Sequence, residues 1–313
     1  MNDKCLITGA TGFVGSCLVR ELIRQNKEVY ILVRNKELNW RLKDIEKELH
    51  VVECDILSDS LPSEIDEILP DYVFHLAVYG TSQNQNDRNQ MIDINLKGTI
   101  NLVNAVLKNP FTLFINTGSS SEYGTKNSSM REDDILEPVN DYGITKAAAT
   151  MYCTNIGKRG SFPLITFRLF SPFGYYESAD RLIPSVILNA LDNKPITVSS
   201  PRNVRDFLFI EDTVNAYLDA MNAKIDQGEI FNIGSGMQHS IEEVVSLILE
   251  ITDSKSDVLW NTKETQTRQI EPKRWEADIH KATRMLKWKP TFTLREGLAK
   301  EIQWVKENRH LYD

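Results

Sequence analysis

The chain has 313 residues, 41% hydrophobic and 26% charged, the balance of a soluble globular protein too long for one ordinary core. Its formal net charge of −8 excludes a surface built for nucleic acid, which needs a basic footprint, so an anionic ligand must be met by local arginines. With no bilayer-length apolar run and no signal-like opening segment, a cytoplasmic protein with no membrane partner is expected.

The first element is a short apolar run that enters glycines at every third position: Cys5-Leu6-Ile7-Thr8-Gly9-Ala10-Thr11-Gly12-Phe13-Val14-Gly15. It reads as a buried strand, a tight turn and a helix over 13–24. Further strand-length runs lie at 29–33, 51–52, 73–76, 113–116 and 164–167, with helical patterns at 87–106 and 143–157 between them. Their β-branched character and alternation with helices predict an α/β fold, a Rossmann-type doubly wound parallel sheet. After about residue 168 the pattern changes. Pro172, Gly174, Pro184, Pro195 and Pro201 punctuate shorter elements, and helical patterns recur at 182–192, 211–223, 241–251, 278–286 and 294–308. The expectation is a dinucleotide-binding domain over 1–168 and a smaller mixed α/β C-terminal substrate domain over 169–313, partly interleaved with the first. Segments 199–205 and 261–275 read as loops. The cysteines (Cys5, Cys17, Cys54, Cys153) and the five histidines have no metal-ligand or redox spacing, so no metal is expected.

The glycine spacing carries a cofactor prediction. Glycine permits the turn, the approach of backbone to a pyrophosphate and the packing of helix on strand, and the helix N-terminus offers N–H groups to phosphate. Gly9, Thr11, Gly12, Phe13, Val14 and Gly15 are therefore candidate dinucleotide contacts. The second strand ends Val33-Arg34-Asn35, with no carboxylate at 33 or 34. An acid there would bond ribose hydroxyls, whereas Arg34 would pair with a 2′-phosphate, so NADP(H) is favoured over NAD(H). The competing reading makes Arg34 a solvated loop charge. Asp55 and Ile56, after the third strand, fall where an adenine edge would lie, although Asp55 would also serve as a helix cap.

Tyr142 and Lys146 are four residues apart on a predicted helix and so share a face. Free tyrosine titrates near ~10; a nearby ammonium stabilises the phenolate and makes it a usable acid or base. Alone the pair would more often be a surface coincidence. Beside a dinucleotide loop it suggests proton transfer at a carbon bearing oxygen. A serine cluster, Ser119-Ser120-Ser121-Glu122-Tyr123-Gly124, follows the fifth strand and could supply a hydroxyl to the same oxygen.

With these motifs in order, the chain resembles the extended short-chain dehydrogenase/reductase family of nucleotide-sugar epimerases, dehydratases and reductases. The resemblance rests further on His75-Leu76-Ala77, Asn95 with Gly98-Thr99, Arg168 to Gly174, Val204-Arg205-Asp206-Phe207, Phe231-Asn232-Ile233-Gly234 and Trp288-Lys289-Pro290. It implies Tyr142 as acid/base, Lys146 as its partner and contact to the cofactor ribose, and Ser119 as the third catalytic residue. It places Leu76, Ala77, Thr117 and Phe170 at the cofactor, and Tyr79, Ser120, Ser171, Arg181, Arg205 and Arg268 at a nucleotide-diphosphate sugar, with the two last gripping the diphosphate. It also implies a homodimer.

Sugar dehydratases of the family carry a carboxylate directly after the Ser/Thr; here Ser120 and Ser121 stand there and Glu122 is one place late. A hydroxyl cannot replace that acid. The expectation is an NADP(H)-dependent reductase of a nucleotide 4-keto-6-deoxyhexose, with a nucleotide-sugar 4-epimerase as the alternative. A non-catalytic nucleotide sensor and a reductase of non-sugar carbonyls stand further off, because Tyr142, Lys146 and Ser119 are intact and two arginines await a diphosphate.

Overall fold

A computed structural model describes residues 3–82, 84–260 and 273–312. In chain order its first half runs β1 (Lys4–Thr8), α1 (Phe13–Arg24), β2 (Glu28–Val33), β3 (His50–Glu53), α2 (Leu61–Ile68), β4 (Tyr72–His75), α3 (Arg88–Ile92), α4 (Thr99–Val106), β5 (Leu113–Ser119), α5 (Asp141–Gly160) and β6 (Leu164–Leu169). The second half contributes β7 (Pro172–Phe173), α6 (Leu182–Leu191), β8 (Ile196–Val198), β9 (Val204–Asp206), β10 (Leu208–Phe209) and α7 (Ile210–Asn222). It closes with β11 (Ile230–Ile233), β12 (Gln238–Ser240), α8 (Ile241–Thr252), β13 (Val258–Trp260), α9 (His280–Met285) and α10 (Leu294–Glu307).

The central sheet has seven strands in the order β11-β6-β5-β4-β1-β2-β3, all parallel. Strand order reverses between β1 and β4, and ligands of doubly wound sheets bind outside the carboxyl ends at such a point. The register aligns those ends: Thr8 faces His75, and His75 faces Asn116.

Alternation along the strands sorts side chains between two cores, since successive strand residues point to opposite faces. Cys5 and Ile7 join Phe167, Tyr217 and Phe231 on one face, under α1 and the second-half helices. Leu6, Val73, Phe114 and Leu164 join Leu61, Leu102 and Cys153 on the other, under α2, α4 and α5. The helix α5 is capped by Asn140, whose side chain accepts the Gly143 N–H. Its buried positions include Gly143, Ala147, Ala149 and Gly157, small residues that let it lie close on β5 and β6.

Three features differ from the sequence expectation. The helix expected over 87–106 is α3 and α4 joined by a π-helical turn at Asp93–Gly98. This turn buries Asn95, whose amide bonds Tyr79 and Thr145. A strand outside the expected runs, β11, joins the main sheet beside β6 as part of the interleaved second half; it is four residues long and its pairing is non-local. And β9 begins inside the stretch expected to be loop, at Val204, because its ladder partner β12 lies more than thirty residues away. Among the described residues, no helix is long and apolar enough to cross a membrane.

Candidate active site

The glycine turn is built by close approach. Gly9 has φ +71, and a Cβ there would stand 2.5 Å from the Leu76 carbonyl carbon. At Gly15 a Cβ would stand 2.2 Å from the Gly9 oxygen, so strand end and helix α1 touch backbone to backbone. Gly12 is the N-cap of α1, exposed, with no side-chain cap and no acid in the first turn. The N–H groups of that turn therefore face outward with the positive end of the helix dipole, which fits a pyrophosphate. Thr11, Phe13 and Val14 are partly buried around this turn, and Asn39 donates to the Thr11 carbonyl at 2.8 Å.

Neighbouring strand ends complete the cleft. Thr8 Oγ1 pairs with His75 Nδ1 at 2.7 Å and accepts the Ala77 N–H at 3.2 Å, which fixes Leu76 and Ala77 beside the turn. His75 is sealed between Thr8 and Thr99, and burial with the Lys146 charge lowers its pKa to about 3, so it is a neutral structural group. Arg34 and Asn35 lie in an exposed turn, and the Asn35 side chain accepts the Glu37 N–H. The Asp55 carboxylate accepts the Leu57 N–H at 2.8 Å, a local turn cap, and Ile56 packs where a Cβ on Gly98 would collide.

The chemical centre lies at the end of β5 and the start of α5. The Tyr142 phenol lies beside Ser119; burial raises its pKa and the field of Glu122 raises it further, while the Ser119 hydroxyl and Arg181 lower it. The Lys146 ammonium is 3% exposed, and burial lowers its pKa. The lysine field falls on His75 and Cys153, and the phenol's pKa is lowered by Ser119 and Arg181.

Glu122, which sequence reading treated only as a misplaced acid, is fully buried and paired with Arg168 at 2.7 Å. Its other oxygen accepts the Ser119 N–H at 2.8 Å and the Thr150 hydroxyl at 2.9 Å. It is thus fully buried and taken up by these three donors.

Thr117 and Phe170, expected at the cofactor, are otherwise engaged. Thr117 Oγ1 pairs with the Tyr217 hydroxyl at 2.7 Å. The Phe170 side chain is buried in a small core with Tyr123, Met130 and Ala277.

On the substrate side, Tyr79 is held by Asn95, and Arg181 donates to the Thr81 carbonyl at 2.9 Å and lies 3.6 Å from Glu177. Ser171 is partly buried, and its carbonyl accepts the Leu208 N–H. Arg205 lies on β9 with its guanidinium 5.2 Å from the centre of the Trp275 ring. Trp275 in turn donates to the Ser120 hydroxyl at 3.2 Å. Trp275 thus links the arginine to the serine loop, and nothing in its local sequence signals this. Arg268 lies outside the described residues.

A doubly wound parallel sheet with an uncapped glycine turn at its switch point, and a tyrosine, lysine and serine beside it, defines an extended short-chain dehydrogenase/reductase, an enzyme class. The chain belongs to the NAD dependent epimerase/dehydratase family, whose model matches residues 5–234. It is 28% identical to an uncharacterized UDP-glucose epimerase of Bacillus subtilis, over 96% of this chain and 98% of that protein. It is 26% identical to a dTDP-glucose 4,6-dehydratase of Neisseria meningitidis, over 98% and 94%. The crystal structure of UDP-glucuronic acid 4-epimerase from Bacillus cereus, in complex with UDP-glucuronic acid and NAD, superposes with a TM-score of 0.86 at 28% identity, covering 97% of this chain and 99% of that one.

These comparisons overturn the expectation of NADP(H): the related epimerase holds NAD. The physical reason lies in Arg34. An exposed arginine in a solvated turn is screened and selects weakly. The lack of an acid at the strand end removes a repulsion but does not build a phosphate site. The chain is thus an enzyme of the epimerase/dehydratase type.

Proposed function

We propose that this protein is an NAD-dependent nucleotide-sugar 4-epimerase. The observation that carries the reading is the site's equipment: Tyr142 stands beside the Ser119 hydroxyl, and the carboxylate of the serine cluster, Glu122, is sealed against Arg168 rather than offered as a second acid. Dehydration needs a further acid and base; epimerisation does not. With Arg34 no longer an argument for NADPH, the case for a net reductase loses its support.

When bound, NAD supplies a hydride acceptor that returns the hydride to the opposite face of the same carbon. The uncapped turn at Gly9–Gly15 would hold its pyrophosphate, and Lys146 its ribose. Tyr142, brought to its phenolate form against the effect of burial by the positive charges of Lys146 and bound NAD⁺, would take the proton of the sugar 4-hydroxyl, which Ser119 would hold by a hydrogen bond. After the sugar turns over, Tyr142 gives the proton back to the ketone oxygen, so protons and hydride balance with no net redox. Arg205 and Arg268 grip the diphosphate, and Tyr79, Ser120, Ser171 and Arg181 line the sugar's path. A homodimer through the exposed face of α5 fits Ile144 and Met151, which are 50% and 65% exposed and seven residues apart on one side.

The test incubates the enzyme with NAD and UDP-glucose or UDP-glucuronic acid and follows the 4-epimer by proton NMR. Formation of the epimer with no accumulation of reduced cofactor supports the reading. Stoichiometric oxidation of added NADH or NADPH by a nucleotide 4-keto sugar, without epimerisation of any nucleotide sugar, overturns it.

A further inference from the structure

Glu122 is a fully buried carboxylate that the chemistry above does not use. Burying a charge is costly unless every lone pair is met. Here three elements meet it. The strand β5 offers the Ser119 N–H, α5 the Thr150 hydroxyl, and β6 the Arg168 guanidinium. Arg168 is itself held, donating to the Tyr123 hydroxyl at 2.9 Å, which donates to Asn232 at 2.6 Å.

Two details give this network a direction. Tyr142, Lys146 and Thr150 follow one another at intervals of four, so Glu122 holds the same face of α5 that presents the tyrosine and lysine. And Gly118 leaves the carboxylate its room, for a Cβ there would stand 2.5 Å from Glu122 Oε1. Position 118 thus carries the one residue that lets a carboxylate lie beneath Ser119.

We propose that Glu122 is a positioning residue for the catalytic serine and tyrosine: one carboxylate that locks the end of β5, the tyrosine face of α5 and β6 into their working geometry. The proposal deepens the reading of Ser119, Tyr142 and Lys146 given above and rests on it. The field of the carboxylate reaches both Tyr142 and Lys146, raising the pKa of each. The groups that face it are the Ser119 amide, Thr150, Lys146, Cys153, Tyr123 and Arg168, with Glu132 beyond Arg168.

Glu122→Gln keeps the shape and removes the charge. The expected result is a kcat about tenfold lower with KM within about threefold, because the lost geometry acts on the reacting atoms more than on binding. The acid limb of the kcat profile moves down by about half a pH unit, because the phenol loses a nearby negative charge and faces an uncompensated Arg168. A purely structural ion pair predicts a lower melting temperature with kcat and acid limb unchanged, and that result overturns the proposal. Should Glu122→Gln yield no folded protein, Thr150→Val removes one donor from the same oxygen at nearly constant volume. Its kcat should fall about threefold at constant KM, and an unchanged kcat overturns the proposal. A further readout needs no turnover: the ultraviolet titration of Tyr142, isolated as the difference between each protein and its Tyr142→Phe counterpart. A midpoint lower in Glu122→Gln supports the proposal and an unchanged one refutes it. A wild type inactive on every nucleotide sugar refutes the function proposed above and leaves this midpoint to decide.

Discussion

The glycine turn gives the sharpest separation of stability from cofactor binding. Gly12 has φ −78 and ψ 175, a backbone any residue adopts, and a Cβ there would meet only the Gly9 oxygen, at 3.2 Å. Gly12→Ala should therefore cost the NAD-free protein no more than about 1 kcal/mol, a shift of roughly 2–4 °C in melting temperature. The added methyl stands where the first N–H groups of α1 would meet pyrophosphate, so Kd for NAD should rise at least about tenfold, or about 1.4 kcal/mol. At NAD near 100 times the wild-type Kd, the ligand stabilises the wild type by about 2.7 kcal/mol and the variant by only about 1.4. Gly15→Ala is the contrasting case. Its Cβ would lie 2.2 Å from the Gly9 oxygen and 2.9 Å from the Ala10 Cα, both backbone atoms, so strand or helix must move. That should cost the NAD-free protein about 1–3 kcal/mol. Thermal scans with and without NAD, joined to calorimetric titration, read both effects. A Gly12→Ala protein with wild-type NAD affinity would show that the pyrophosphate does not cross this turn, and a Gly15→Ala protein with wild-type stability would show that strand and helix are not in contact.

Other outcomes can be checked alongside. Tyr142→Phe should lower kcat by about 10²–10⁴ while NAD affinity, measured by titration, stays within about twofold. Arg205→Ala should weaken binding of a nucleotide diphosphate by about tenfold or more, read by competition against the substrate, with NAD binding unchanged. Glu301 is 0% exposed with neither carboxylate oxygen hydrogen-bonded among the described residues, and burial, with Glu177 close by, raises its pKa well above the ordinary value. Its folded pKa exceeds its unfolded one, so its contribution is present below the unfolded pKa, near ~4.3, and is lost as pH rises through the folded value. Glu177, raised to about 7 by burial, and Asp206, raised to about 6, act in the same direction. The melting temperature should fall from pH 5 to pH 8, and Glu301→Gln should flatten that fall; a curve that rises over this range would contradict the sign.

The related epimerase holds NAD, against the expectation of NADP(H) drawn from Arg34. A charge at the end of β2 was visible in the sequence, but its exposure was not. Arg34 stands in a solvated turn, where a guanidinium discriminates weakly between a ribose hydroxyl and a ribose phosphate. Phe170 shows the same limit. Its motif was legible, yet only the folded chain places its ring against Tyr123 and Met130.

The alternation of strand and helix, the glycine turn, and the placing of Tyr142 and Lys146 on one helix were legible in the sequence alone. Each depends on neighbours within a few residues, where periodicity and backbone freedom leave a direct imprint. Tertiary structure decided what depends on distant partners. It brought β11 back to the sheet beside β6, buried Glu122 between Ser119, Thr150 and Arg168, and set Trp275 between Arg205 and Ser120. A carboxylate one place late in a serine cluster reads locally as an acid in the wrong position. Only desolvation and three converging donors from β5, α5 and β6 make it part of the frame that holds the reacting groups.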